Sequence, residues 1–183
     1  MIRLLTRFVI GLLALIGLAT VVGAAWFWRG GIGSQRAPGA LETTTSRALR
    51  SAAIPTEAKE RKNPVPPSDL ALHEGMEHFA DHCAVCHDNN GSGDTVFGRG
   101  MYPRPPDLRA ADTQQLSDGE LFYIIENGVR FTGMPAFGSG STEGVSGNWG
   151  LVHFIRHLPK LTGQEIEKMK KMNPQPAVKP HKH

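Results

Sequence analysis

Cys83-Ala84-Val85-Cys86-His87 decides how the other residues of this 183-residue chain are read. Two thiols three positions apart, with a histidine directly after the second, form the attachment pattern for c-type haem. The chemistry explains the spacing. Each thiol can add to one of two vinyl groups on one edge of the porphyrin, and the residue after the second is carried under the iron, where an imidazole is an axial ligand. These are the only two cysteines in the chain. A thioredoxin-like pair also uses C-x-x-C, but there it opens a helix in a βαβ setting. Here the pair closes a helical segment. A structural zinc site wants four protein ligands, so two thiolates would need two well-placed histidines beside them.

Working outward, Ser68 or Asp69 can N-cap a helix after Pro66-Pro67. Leu72, Met76, Phe79 and Cys83 follow at helical spacing, so one face is apolar and the helix is expected to reach about Cys83–Val85. Gly75 lies on much the same face as Phe79. A mid-helix glycine costs about 1 kcal/mol relative to alanine, which makes sense where a second helix approaches closely. Asp88 to Gly100 reads as loop and leads to Tyr102-Pro103-Arg104-Pro105-Pro106-Asp107-Leu108. That proline-rich segment is stiff. A ligating imidazole needs an acceptor for its other N–H, and the carbonyl of Pro105 or Pro106 is the candidate acceptor for His87.

Ser117 with Glu120 three residues later is a capping box; Leu121, Ile124 and Ile125 give the following helix its stripe, and Asn127-Gly128 ends it. In Val129 to Phe137, Gly133 and Pro135 bracket Met134, so this methionine sits in a loop and not in a helix stripe. A thioether is a soft ligand that favours ferrous haem and raises its potential relative to two histidines. Gly138 to Gly147 reads as loop, and Asn148 to Leu158 as the last core helix, stopped by Pro159. Thr162 with Glu165 caps a short basic helix to about Met172, and the Lys/His tail from Asn173 to His183 is expected to be disordered.

At the other end, Phe8 to Trp28 is 21 residues without a charge, about 30 Å as a helix, the thickness of a bilayer core. Trp26, Phe27 and Trp28 stand where interfacial aromatics are favoured. A cleaved signal peptide is the alternative, with Val22-Gly23-Ala24 as small residues for a peptidase. Length and the aromatic end favour an anchor, with the amino terminus cytoplasmic and the rest outside. The organisation expected is thus 1–29 anchor or signal peptide, 30–67 flexible Pro/Ala-rich linker, 68–159 haem domain, and 160–183 basic helix and tail.

Charge is uneven along the chain. Residues 1–67 carry nine Arg/Lys against three Asp/Glu, 68–159 five against twelve, and 160–183 six against two, giving +6, −7 and +4. The haem-bearing segment is acidic and the basic pI of about 9.0 belongs to the ends. With no interleaving of aromatic and basic residues, nucleic acid is not an expected partner.

Taken in order, Cys83-x-x-Cys86-His87, the proline segment, the helix opening Ser-Asp-Gly-Glu, Gly133-Met134-Pro135 and the ending Phe154-Ile155-Arg156-x-Leu158-Pro159 resemble a class I monohaem cytochrome c over about Leu70 to Pro159. The resemblance implies an all-α, cytochrome c-like domain around one covalent haem c, here behind an N-terminal transmembrane helix. It implies first and last helices crossing near perpendicular where Gly75 and Phe79 meet Phe154, and Met134 as second axial ligand to the iron. Asp88 stands where the family often has glycine, and the helix after Pro159 has no counterpart in the minimal fold. Arg104, Arg130 and Trp149 are candidates for the propionates or pocket. Met101 is the weaker distal alternative. His73, His78 and His82 fall on the attachment side of the ring, and His153 and His157 are expected to face solvent. With both axial positions filled, no site is left for a small-molecule substrate. The expected work is one-electron relay, not enzymatic turnover, on the periplasmic side of the cell membrane. The expected partners are redox proteins with a basic docking patch. A haem subunit of a larger oxidoreductase is the alternative, and a haem sensor or peroxidase-like enzyme the more remote one.

Overall fold

The computed structural model describes residues 2–31 and 33–173. Of the Lys/His tail expected to be disordered, residues 174–183, with His181 and His183, lie outside the described residues, and Asn173 alone is described. The chain divides into two compact units, one ending at Ser34 and the other beginning at Gln35. Among the described residues the structure is helical throughout, with no strand.

The first unit is essentially α1, Ile2–Gly30. No residue of it is buried, and it is long and apolar enough to cross a membrane. A membrane anchor and a signal sequence both satisfy that description.

In the second unit, α2 (Ala40–Ala53) and α3 (Thr56–Lys59) occupy what the sequence reads as a flexible linker. Contacts seat this segment against the rest of the unit. Ile54, between the two helices, is buried. Ser117 Oγ donates to the Lys59 carbonyl at 2.7 Å, and Asn63 Nδ2 to the Trp149 carbonyl at 3.0 Å. His153 Nε2 pairs with the Val65 carbonyl at 2.8 Å. The Arg61 guanidinium lies 4.6 Å from the Phe122 ring centre and 5.3 Å from that of Trp149. A Cβ on Gly119 would strike the Ala58 carbonyl, so the segment seats only because position 119 has no side chain. The segment has no apolar stripe of its own because it is held by backbone carbonyls and a cation over aromatic faces.

The haem segment opens with α4, Asp69–His78, capped by Ser68, whose Oγ accepts from the Ala71 N–H. The sequence expects one helix through Cys83–Val85. Instead Phe79–Cys83 form a π-helical turn, with the Ala84 N–H bonded to the Phe79 carbonyl, before α5, Ala84–His87. Short helices α6 (Val96–Arg99) and α7 (Ala111–Gln114) lie within the long connection to α8, Asp118–Asn127. The capping box at Ser117 and Glu120 is present, and Gly128 has a φ of 65°.

The last core helix, α9, spans Thr142–His157 and so starts six residues before Asn148. Ser141 caps it by accepting from the Gly144 N–H at 3.0 Å. Glycines 144, 147 and 150 hide this helix in the sequence by lowering its propensity, yet Gly150 lies where α4 passes. A Cβ on Gly75 would clash with the Gly150 carbonyl. Phe79 meets Phe154 at 5.1 Å between ring centres. A 3-10 turn, Leu158–Lys160, leads to α10, Gly163–Met172, whose Met169 is fully buried.

Candidate functional site

Cys83 ends the π turn, and Cys86 and His87 lie on α5. Both thiols are free and partly buried. Burial, reinforced by the Cys86 thiol, pushes the Cys83 thiol up to about 12; burial raises Cys86 as well. This is the reverse of the electropositive setting that activates a redox cysteine. Among the described residues no three His, Cys, Asp or Glu side chains are grouped to hold a metal ion, so a zinc site finds no ligand set there.

Burial lowers the His87 pKa, and the Pro106 carbonyl opposes it. Nδ1 of His87 is buried and makes no hydrogen bond of good geometry. Pro106 is thus the backbone acceptor facing the ring, close enough to favour a proton on it but not seated as a hydrogen bond; no comparable interaction involves Pro105. The loop after the motif is held by its own backbone: the Gly93 N–H donates to the His87 carbonyl at 2.8 Å, and the Leu108 N–H to the Gly91 carbonyl at 2.8 Å. The Tyr102–Pro103 bond is cis.

Met134 is half-buried in a tight turn between α8 and α9. Its N–H donates to Thr132 Oγ1 at 3.1 Å, and its carbonyl accepts from the Val129 N–H at 3.1 Å. The Phe137 N–H then donates to the Ile125 carbonyl at 3.0 Å, tying the turn to the end of α8. His82, directly before Cys83, meets the Phe137 ring edge to face at 6.3 Å. The attachment segment and the Met134 turn therefore border one region. Met101 lies there too: its sulfur stands 2.9 Å from where a Cβ on Gly133 would be.

The other candidates are scattered. Arg104 is exposed and donates to the Gln35 carbonyl at 3.0 Å. Arg130 is exposed, 5.8 Å from the centre of the Phe131 ring. Trp149 is buried and stacks on Phe122 at 4.0 Å, and its Nε1 has no hydrogen-bond partner.

The histidines of the first and last helices have other occupations. His73 faces Glu77 at 3.7 Å, and burial, with His82 beside it, lowers the His78 pKa. His153 and His157 are half-buried instead of facing solvent: His153 holds Val65, and His157 Nε2 pairs with Glu165 at 2.8 Å. The sequence reading missed Asn173, whose amide reaches both flanks of the motif, and no local signal marks it.

Two free thiols, a buried imidazole directly after the second, and the methionines Met101 and Met134 around a turn whose Phe137 meets His82 are the kinds of donor a c-type haem takes. Residues 70–155 match the family model described as cytochrome C oxidase, cbb3-type, subunit III. This segment is thus a cytochrome c-like, all-α domain, and cytochrome c domains bind haem and transfer electrons. No curated protein matches the chain. A chain of the Kuenenia stuttgartiensis reducing HAO-like protein complex is similar in structure, with a TM-score of 0.47 and 20% identity, over 52% of this chain and 46% of that one. This protein thus spans less than half of that neighbour's length.

Proposed function

We propose that this protein is a membrane-tethered electron carrier, holding one haem c on the outer side of the membrane and passing single electrons between redox proteins. The observation that carries the reading is the Cys83–His87 motif on the turn from π helix to α5, with the His87 ring against the Pro106 carbonyl. The haem would supply the one-electron couple of its iron. Cys83 and Cys86 would hold the haem through thioethers, and His87 and Met134 would be the ligands to its iron. The Pro106 carbonyl would be the acceptor that orients the imidazole through its second N–H. Trp149 offers an unsatisfied indole N–H to a propionate, and no other propionate candidate has an orphaned donor. Arg104 and Arg130 are weaker candidates from their positions.

The domain's excess of carboxylates would steer it towards a basic patch on its partners, so that association slows as salt rises. α1 would anchor the chain and raise its local concentration near membrane partners.

The test is Met134→His in the full-length protein. Haem stays attached through Cys83 and Cys86, the midpoint potential falls, and the visible spectrum changes to that of a bis-histidine haem. An unchanged potential removes Met134 from the iron and turns attention to Met101.

The family description supports a second reading, a haem subunit of a larger membrane oxidoreductase. Mild-detergent extracts of native membranes, run on a native gel and stained for haem, separate the two. Haem migrating near 19.9 kDa plus detergent supports the carrier. A large band with stoichiometric neighbours supports the subunit.

A further inference from the structure

Asn173, at the C-terminal end of α10, touches the attachment segment on both flanks. Its Nδ2 donates to the Ala80 carbonyl at 3.1 Å, and its Oδ1 accepts from Asn89 Nδ2 at 2.8 Å. Ala80 lies in the π turn three residues before Cys83, and buried Asn89 lies two residues after His87. The helix that delivers Asn173 is itself fixed. Its N-terminal box carries Glu165, which pairs with His157 on α9, and Met169 is fully buried in the core. The Asn173 N–H donates to the Met169 carbonyl at 3.0 Å. His157, Glu165, Met169 and Asn173 itself all lie beyond the matched residues 70–155, whereas Ala80 and Asn89 lie within them.

The π turn gives this contact its consequence. Relaxing such a turn to α-helical hydrogen bonding changes the register by one residue, and one residue is about 100° of rotation around a helix. Every side chain after the turn would swing, Cys83, Cys86 and His87 included. We propose that Asn173 is a positioning residue for the haem: by bridging Ala80 and Asn89 it holds the π turn and fixes the direction in which His87 faces the iron. α10 is then a brace on the attachment segment. The inference rests on the haem reading above.

The experiment compares full-length, haem-loaded wild type with Asn173→Ala and Asn173→Asp, with exposed Lys168→Ala as control. Aspartate keeps an acceptor for Asn89 but has no donor for Ala80. Loss of one hydrogen bond in Asn173→Asp predicts amide exchange about five- to tenfold faster at Ala84 to His87, and loss of both in Asn173→Ala predicts at least as much. The midpoint potential shifts, and the electron paramagnetic resonance of the ferric centre broadens as His87 samples more than one orientation. Lys168→Ala matches wild type. Wild-type potential and resonance in both Asn173 variants overturn the proposal, even where the melting temperature falls, because α10 would then be only a cap on the core. Should Asn173→Ala fail to accumulate with haem, Asn173→Asp decides, and a wild-type potential there overturns the proposal. Wild type purified without covalent haem overturns the functional reading itself, and that result is seen before any variant is compared.

Discussion

At Gly75 one missing side chain decides how two helices meet. A Cβ there would overlap the Gly150 carbonyl and stand 3.2 Å from Phe154 Cβ. α4 and α9 cannot separate cheaply, because Phe79 and Phe154 are almost fully buried behind the contact. Gly75→Ala should therefore destabilise the folded protein by about 1–3 kcal/mol, even though alanine is the better helix former by about 1 kcal/mol. Urea denaturation of the holoprotein measures it. A neutral or stabilising result would mean that the helices part without cost. Gly150→Ala tests the same contact from the other side more gently: its nearest non-local atom would be the Ala71 carbonyl at 3.6 Å, an ordinary contact.

Helix α10 was legible as an element but not as a part of the machine. Thr162 and Glu165 announce the helix; nothing in the sequence says that Met169 is buried or that Asn173 reaches Ala80 and Asn89. The same division runs through the chain. The motif Cys83–His87, the caps at Ser68 and Ser117, and the Gly75–Phe79–Phe154 crossing were readable because each depends on spacing within one element or on a resemblance. The π turn at Phe79–Cys83, the early start of α9 and the roles of His153 and His157 were not, because tertiary partners decide them. The pairing of His157 with Glu165 also has a pH signature. Burial raises the Glu165 carboxyl, but hydrogen bonds from the Thr162 N–H and hydroxyl, both 2.7 Å, and from His157 outweigh it and leave the pKa below the ordinary 4.5. A carboxylate held low in the folded state contributes stability above its unfolded pKa and loses it as pH falls through the folded one. The stability gap between wild type and Glu165→Gln should be present at pH 7 and close as pH drops below about 4.5. A gap that persists into acid would mean that the carboxylate's charge contributes nothing to holding α10.

For the whole molecule, the question is where the electron-transfer unit begins. The matched residues start at 70, and composition alone makes everything from 30 to 67 a tether. Yet Ile54 is 4% exposed, and Lys59, Asn63 and Val65 each bond to α8, α9 or their caps. A further run of contacts belongs to α2: Arg47 pairs with Asp112 at 2.5 Å, and Tyr102 Oη donates to Glu42 at 2.5 Å. Both contacts are solvent-exposed, one an ion pair and one a hydrogen bond, and exposed polar contacts of this kind contribute little. Burial at Ile54 is the stronger term. Ile54→Ala should cost about 2–4 kcal/mol in the full-length holoprotein, whereas Leu41→Ala on α2, where Leu41 is 82% exposed, should cost almost nothing. Thermal denaturation followed at the haem band reads both. If Ile54→Ala melts with wild type, the segment before the domain is a free tether and reach is its whole role. If it melts lower, the segment around Ile54 belongs to the folded domain, and any tether is shorter than the sequence suggests. A shorter tether means a smaller volume searched for a partner, since the reach of a flexible chain grows as the square root of its length.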